Sequence, residues 1–160
     1  MWRSARNVRI TYAPLPAKAS TPPLPRIDDL VEYEKASGKG GVKSVAGVDT
    51  AAAASDTGAW DWRGKGWLFF VGSHWEVLGW GERPLADGSG GVERWVVTWF
   101  APTVFTKEGV DVYSDRKEGG SKELVEEVLA ALRKTEAKPL AEMCEKDMKE
   151  VEIKLPWKER

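Results

Sequence analysis

Two side chains in the stretch Trp60–Trp80, WDWRGKGWLFFVGSHWEVLGW, have types and spacing suited to proton chemistry. His74 and Glu76 are two residues apart, and so share one face of an extended strand. A carboxylate held among apolar rings has its pKa raised by desolvation and could act as a general acid or base, with His74 as its natural partner. On the bland reading that face is solvated, Glu76 is simply hydrated and His74 is an ordinary histidine beside a turn. Asp61 and Arg63 likewise share a face, alternating with Trp60 and Trp62. An arginine flanked by tryptophans can hold a carboxylate or phenolate ligand through paired donors, or it can bridge to Asp61. The stretch carries five of the nine tryptophans in the chain, and tryptophan serves equally as core filler and as a stacking wall for ligands. Trp62, Trp67, Trp80 and Trp99 are the candidates for such a wall, with Glu76 and Arg63 orienting polar ends. If the protein turns over a substrate, Glu76 and His74 are the candidate catalytic pair.

Composition removes several function classes. The 160 residues fit one domain, and 42% hydrophobic with 31% charged content is that of a folded soluble chain, so wholesale disorder is excluded. A net charge of −1 lacks the basic surface that nucleic acid requires. No apolar run approaches the roughly 20 residues of a membrane span. The N-terminal residues have no apolar signal core, and one cysteine, Cys144, permits no intramolecular disulfide, so a cytoplasmic setting is expected. Cys144 and the lone His74 cannot supply a His/Cys metal cluster, and neither a metal nor a cofactor is expected. His74 as an axial haem ligand is the one cofactor idea the residues allow. The glycine runs SGKGG from Ser37 and DGSGG from Asp87 lack phosphate-loop spacing and read as hairpin loops.

The elements that must position these residues are mostly strands. Gly72-Ser73 between apolar runs predicts a two-residue hairpin, placing Val71 opposite His74, Phe70 opposite Trp75 and Phe69 opposite Glu76. One face then carries Leu68, Phe70, Trp75 and Val77, and the other Trp67, Phe69, Val71, Leu78 and Trp80 around His74 and Glu76. Strands are also expected at Asn7–Tyr12, Ile27–Lys35, Val42–Thr50, Arg94–Phe105, Val110–Tyr113 and Val151–Leu155. The proline cluster from Ala13 to Arg26 reads as a loop, because a ladder should not survive that density. Ala51–Ala54 reads as a strand end, closed by Ser55–Gly58. Arg94–Phe105 is apolar on both faces, as in a strand between two buried layers. Ser121 caps a helix at about 122–134 with the stripe Leu124, Val125, Val128, Leu129 and Leu132, and Pro139 opens a short second helix at about 140–148. Consecutive short strands followed by an amphipathic helix predict a mainly β protein. The expected form is a closed antiparallel up-and-down barrel with the helix packed outside.

The hairpin DWRGKGWLFFVGSHWEVLGWGE and its continuation ERWVVTWFAPTVFTKEGVDVYS resemble the small lipocalin-like (calycin) proteins of filamentous fungi. The likeness spans about Asn7 to Leu132 and is strongest over Trp60–Ser114. The general Gly-X-Trp mark of lipocalins is missing; Trp2 with Arg3 lacks the preceding glycine. The resemblance implies an eight-stranded up-and-down barrel enclosing one small apolar molecule. Some fungal members of the superfamily are cyclases or isomerases of secondary metabolism, but no motif carries catalytic residues over position by position. The expectation is therefore a single domain over 1–160, monomer or homodimer, that binds a small hydrophobic or aromatic molecule. The alternative is a cofactor-free cyclase or isomerase using the same cavity, and a third reading is a barrel filled by its own side chains.

Overall fold

The period-two segments become seven strands in the computed structural model, which describes residues 2–54 and 58–158. They are β1 (Ala5–Lys18), β2 (Leu24–Lys35), β3 (Val42–Ala51), β4 (Ala59–Gly64), β5 (Gly72–Pro84), β6 (Val92–Phe100) and β7 (Gly109–Ser114). The 3.6-residue pattern becomes α1 (Lys122–Arg133) and α2 (Lys138–Asp147). Each strand bonds to its neighbour in the chain, so the sheet order is β1 to β7, an antiparallel up-and-down meander. The class is mainly β, as expected, with seven described strands in place of eight. The expected last strand at Val151–Leu155 is reduced to one parallel bridge, Glu152 with Arg6. Residues 55–57, expected to close the alanine run, lie outside the described residues. Among the described residues no helix is long and apolar enough to cross a membrane.

Two expectations fail for identifiable reasons. The proline cluster is not all loop: Pro14 pairs with Ile27, Leu15 with Arg26, and Pro25 lies within β2. β1 ends the ladder, so a proline there costs no bond where its missing N–H would have pointed outward. Pro25 precedes Arg26, the first β2 residue paired to β3. The Gly72-Ser73 hairpin is also wrong. Arg63 pairs with Gly72, Trp62 with Ser73, Asp61 with His74 and Trp60 with Trp75, which makes Gly72-Ser73 the start of a strand. The chain turns earlier, through a 3-10 turn at Gly66–Leu68 closed by Gly64 N–H donating to the Val71 carbonyl at 3.1 Å. Glycines dictate that choice. Gly66 has φ +59°, and a Cβ on Gly64 would lie 2.4 Å from the Leu68 carbonyl oxygen.

The chain folds as two compact units. One takes in the residues up to Glu76 together with Phe100–Glu108 and the tail from Val151; the other takes in Val77–Trp99 and Gly109–Glu150. In the first, the tail is seated on the edge strand β1. Asn7, buried at φ +50° where the β1–β2 register breaks, donates to Glu34 Oε1 at 2.7 Å and accepts from Lys154 N–H at 2.6 Å. Arg9 lies over the Trp157 ring and donates to the Lys158 carbonyl. An edge strand covered in this way presents fewer open backbone groups for stray pairing.

In the second unit, Leu124, Val128 and Leu132 of α1 and Cys144 of α2 are buried with Val97 of β6 and Val110 of β7, and Trp95 and Trp99 pack against that cluster. β6 is buried on both faces, as its sequence implies, since Thr98 is buried opposite Val97. Ser121 caps α1 as expected, accepting from Leu124 N–H, and it does more. Its own N–H and hydroxyl both donate to Glu93 of β6, at 2.8 and 2.6 Å, while Arg83 Nε donates to the same carboxylate at 2.9 Å. Burial alone would raise the Glu93 pKa, but the Ser121 donors and Arg83 hold it down at about 2. Against an ordinary 4.5 in the unfolded chain, that stabilisation is complete above about pH 4.5 and is lost as the pH falls toward 2. Ser121→Ala should cost about 1–2 kcal/mol, read as a lower urea midpoint at unchanged slope.

Candidate functional site

The corrected register brings three of the singled-out polar residues together. Asp61 and His74 face each other across β4 and β5, and Glu76 follows on the same face. His74 is held from both sides, Nδ1 at 2.8 Å from Asp61 Oδ1 and Nε2 at 3.1 Å from Glu76 Oε1. Hydrogen bonding to Asp61 first, then to Glu76, raises the His74 pKa and outweighs its partial burial. The cluster is open to solvent, with Asp61 and Glu76 both exposed. The burial that proton chemistry on Glu76 would need is not there. Arg63 is exposed on the same face, above Gly72.

The tryptophans of the expected wall lie in different settings. Trp67 rides on the 3-10 turn, 74% exposed, and within the second unit Trp80 is 76% exposed while Trp99 packs on the helical core. Trp62 points to the opposite face from Arg63, where its indole covers Gly47. A Cβ there would sit 2.0 Å from Trp62 Nε1.

That opposite face of the first unit is where the chemistry concentrates. The register aligns Tyr12 with Asp29, Asp29 with Gly47, Asp49 with Trp62, and Trp60 with Trp75, so all these residues share one side. β1 and β5 would be roughly 19 Å apart in a flat sheet. The Tyr12 and Trp75 rings are nevertheless stacked at 6.4 Å, so these strands curl toward each other over that face, with Tyr12 at its exposed edge. Trp75 also stacks on Trp60 at 5.8 Å. Inside lie two carboxyls. Asp49 is 0% exposed and accepts from Trp75 Nε1–H at 2.7 Å. The Trp62 indole N–H acts on Asp29 and pulls its pKa down. Burial, then the charge of Asp49, lifts Asp29 to about 7 against the pull of the Trp62 N–H, with Asp28 adding to the rise. Burial lifts Asp49 to about 6 against the pull of the Trp75 N–H. Each carboxyl keeps one buried oxygen without a partner, Asp29 Oδ1 and Asp49 Oδ2. Among the described residues the other two such atoms, Arg6 Nε and Trp157 Nε1, belong to the β1 edge and the tail.

Neither aspartate was singled out by residue type. In β2 the pair Asp28-Asp29 puts one carboxyl on each face, and alternation alone does not say which is inside. The available signal was Gly47, a glycine inside a strand two residues before Asp49, which marks a close approach by another group. Comparison with protein-family models, curated proteins and solved structures gives no match for this chain.

Two titrations follow from this geometry. His74 is the sole histidine, so its ring resonances in a proton NMR titration should report a midpoint above the ordinary 6.5, and Asp61→Asn should bring it down. What this clamp adds to stability is complete below about pH 6.5 and lost as the pH rises through the raised folded value. The buried aspartates act in the opposite sense to Glu93. Their folded pKa values stand above the ordinary 3.8, so the folded state holds extra protons and stability declines as the pH rises from about 4 to 7. Asp29 alone should contribute on the order of 3 kcal/mol to that decline. Urea unfolding across that range should show the slope in the native chain, and Asp29→Asn should flatten it.

Proposed function

We propose that the first unit binds one small, largely aromatic or apolar molecule on its enclosed tryptophan face. Tyr12, Trp60, Trp62 and Trp75 form the apolar wall, and Asp29 and Asp49 are the polar anchors. The observation that carries this reading is Asp49: fully buried, bonded by one indole, with its second oxygen partnerless among aromatic rings. A purely structural face would be expected to satisfy or replace such a group, because an unsatisfied buried acceptor costs about 1–3 kcal/mol. Few polar groups converging in an aromatic enclosure is the usual make-up of a small-molecule site. The meander is then read as a lipocalin-like barrel of the calycin type, acting as a binding module.

A second reading has its own support. Asp29, at about 7 in apolar surroundings, is matched to proton transfer at neutral pH, as a cofactor-free cyclase or isomerase would need. It predicts turnover that Asp29→Asn abolishes while uptake persists.

Titration with a small apolar dye, followed by tryptophan emission, tests the binding reading. Saturable quenching is expected, and Gly47→Ala should weaken it by roughly tenfold or more, because the new methyl displaces the Trp62 indole. A native protein, folded by circular dichroism, that shows no saturable quenching would overturn the proposal.

A further inference from the structure

We infer that the molecule held between Asp29 and Asp49 is a primary amine on an aromatic body, its ammonium bridging Asp29 Oδ1 and Asp49 Oδ2. This rests on the reading of the enclosed face as a small-molecule site and names the class of molecule it takes. The first ground is donor arithmetic. Asp49 already receives the Trp75 N–H, the Trp62 N–H acts on Asp29, and an indole nitrogen donates only. What remains are two acceptor oxygens, both buried and both without a partner. An ammonium carries three donors and can serve both at once; a hydroxyl carries one and leaves an oxygen unsatisfied. A carboxylate or phosphate brings further acceptors and like charge.

The second ground is charge. The charges that act on Asp29 are those of Asp49 and Asp28, beside the Trp62 indole, and Asp49 is acted on by the Trp75 indole; none of these is a cation. Tyr12 faces Asp29 across β1, and Ile27 faces Asp49 across β2, so the neighbouring strands supply no counter-charge at those positions. A positive ligand removes the desolvation and repulsion that make ionisation costly here. The aromatic lining adds to this, since the negative faces of indole and phenol rings attract a cation within about 6 Å. A bare divalent ion is a poorer occupant. Calcium or magnesium seeks six or more oxygen ligands, whereas this pair offers two free oxygens beside indole N–H donors.

Binding of such a cation is linked to protons. The site holds protons up to neutral pH, and the ammonium displaces them, so amine affinity falls as the pH drops below 7.

Isothermal titration at pH 7 with 2-phenylethylamine, 2-phenylethanol and 3-phenylpropionate, in two buffers of different ionisation heat, tests the inference, with the apolar dye run alongside. The amine should bind about tenfold tighter than the alcohol or better, with proton release visible as a buffer-dependent heat. Asp49→Asn should lose that preference while still taking up dye; Asp29→Asn serves if Asp49→Asn fails to fold. Dye uptake with the alcohol or carboxylate bound as tightly as the amine, or with no amine bound, would overturn the cation and leave the small-molecule reading standing. Failure of the dye and of all three probes on the folded native chain would overturn both.

Discussion

An indole N–H can donate but never accept, so a tryptophan folded toward the inside of a sheet needs an acceptor there. For Trp75 the acceptor is Asp49, at 2.7 Å. Trp75 stands on β5 and Asp49 on β3, so this bond passes over the intervening β4 and ties three strands into one curl. A second indole acts in the same sense, Trp62 on β4 upon Asp29 on β2, and its place depends on Gly47 having no side chain. Tyr12, Trp75 and Trp60 stack in sequence on the same face. Burial of Asp49 and the curl of the sheet are thus coupled, since Trp75 both stacks in the curl and bonds the acid.

The same chain shows that burial alone does not decide how an acid titrates. Glu93 is 1% exposed and Asp49 is 0% exposed, yet Glu93 stands at about 2 and Asp49 at about 6. Glu93 receives an N–H, a hydroxyl and a guanidinium N–H, three donors of which one is charged. Asp49 receives a single neutral indole. Both acids lose their water, but just one has it replaced. In the second unit the replacement fastens the start of α1 to β6, a structural use. In the first unit the donors are missing, and Asp49 keeps one buried oxygen without a partner.

Local pattern carried most of the fold. The stripe at Leu124, Val128 and Leu132 and the Ser121 cap were legible because each depends on neighbours within a turn or two. The two-faced burial of β6 was legible for a similar reason. The tight hairpin was misread because Gly72-Ser73 satisfies a local turn pattern, while the deciding fact is through-space: the Leu68 backbone fills the position a Gly64 side chain would take. The prolines were misread because their cost depends on which strand is an edge, which alternation does not state. The site was hidden for the same kind of reason. Nothing in the run Asp28-Asp29 or Val48-Asp49 separates a solvated carboxyl from a desolvated one until register places Gly47, Trp62 and Trp75 around them.

Residue type led instead to His74 and Glu76, which are indeed adjacent and hydrogen-bonded, but in water. A hydrated His–carboxylate cluster has a modest shift and a modest energy, because solvent screens what the geometry offers. The buried pair contains no histidine and no cationic partner, and there burial sets the pKa. Reactivity in this fold follows desolvation more closely than side-chain identity: Asp28 and Asp29 are chemically the same and adjacent in sequence. The pleat turns Asp28 to the solvated side, where Lys65 meets it, and Asp29 inward to the tryptophans.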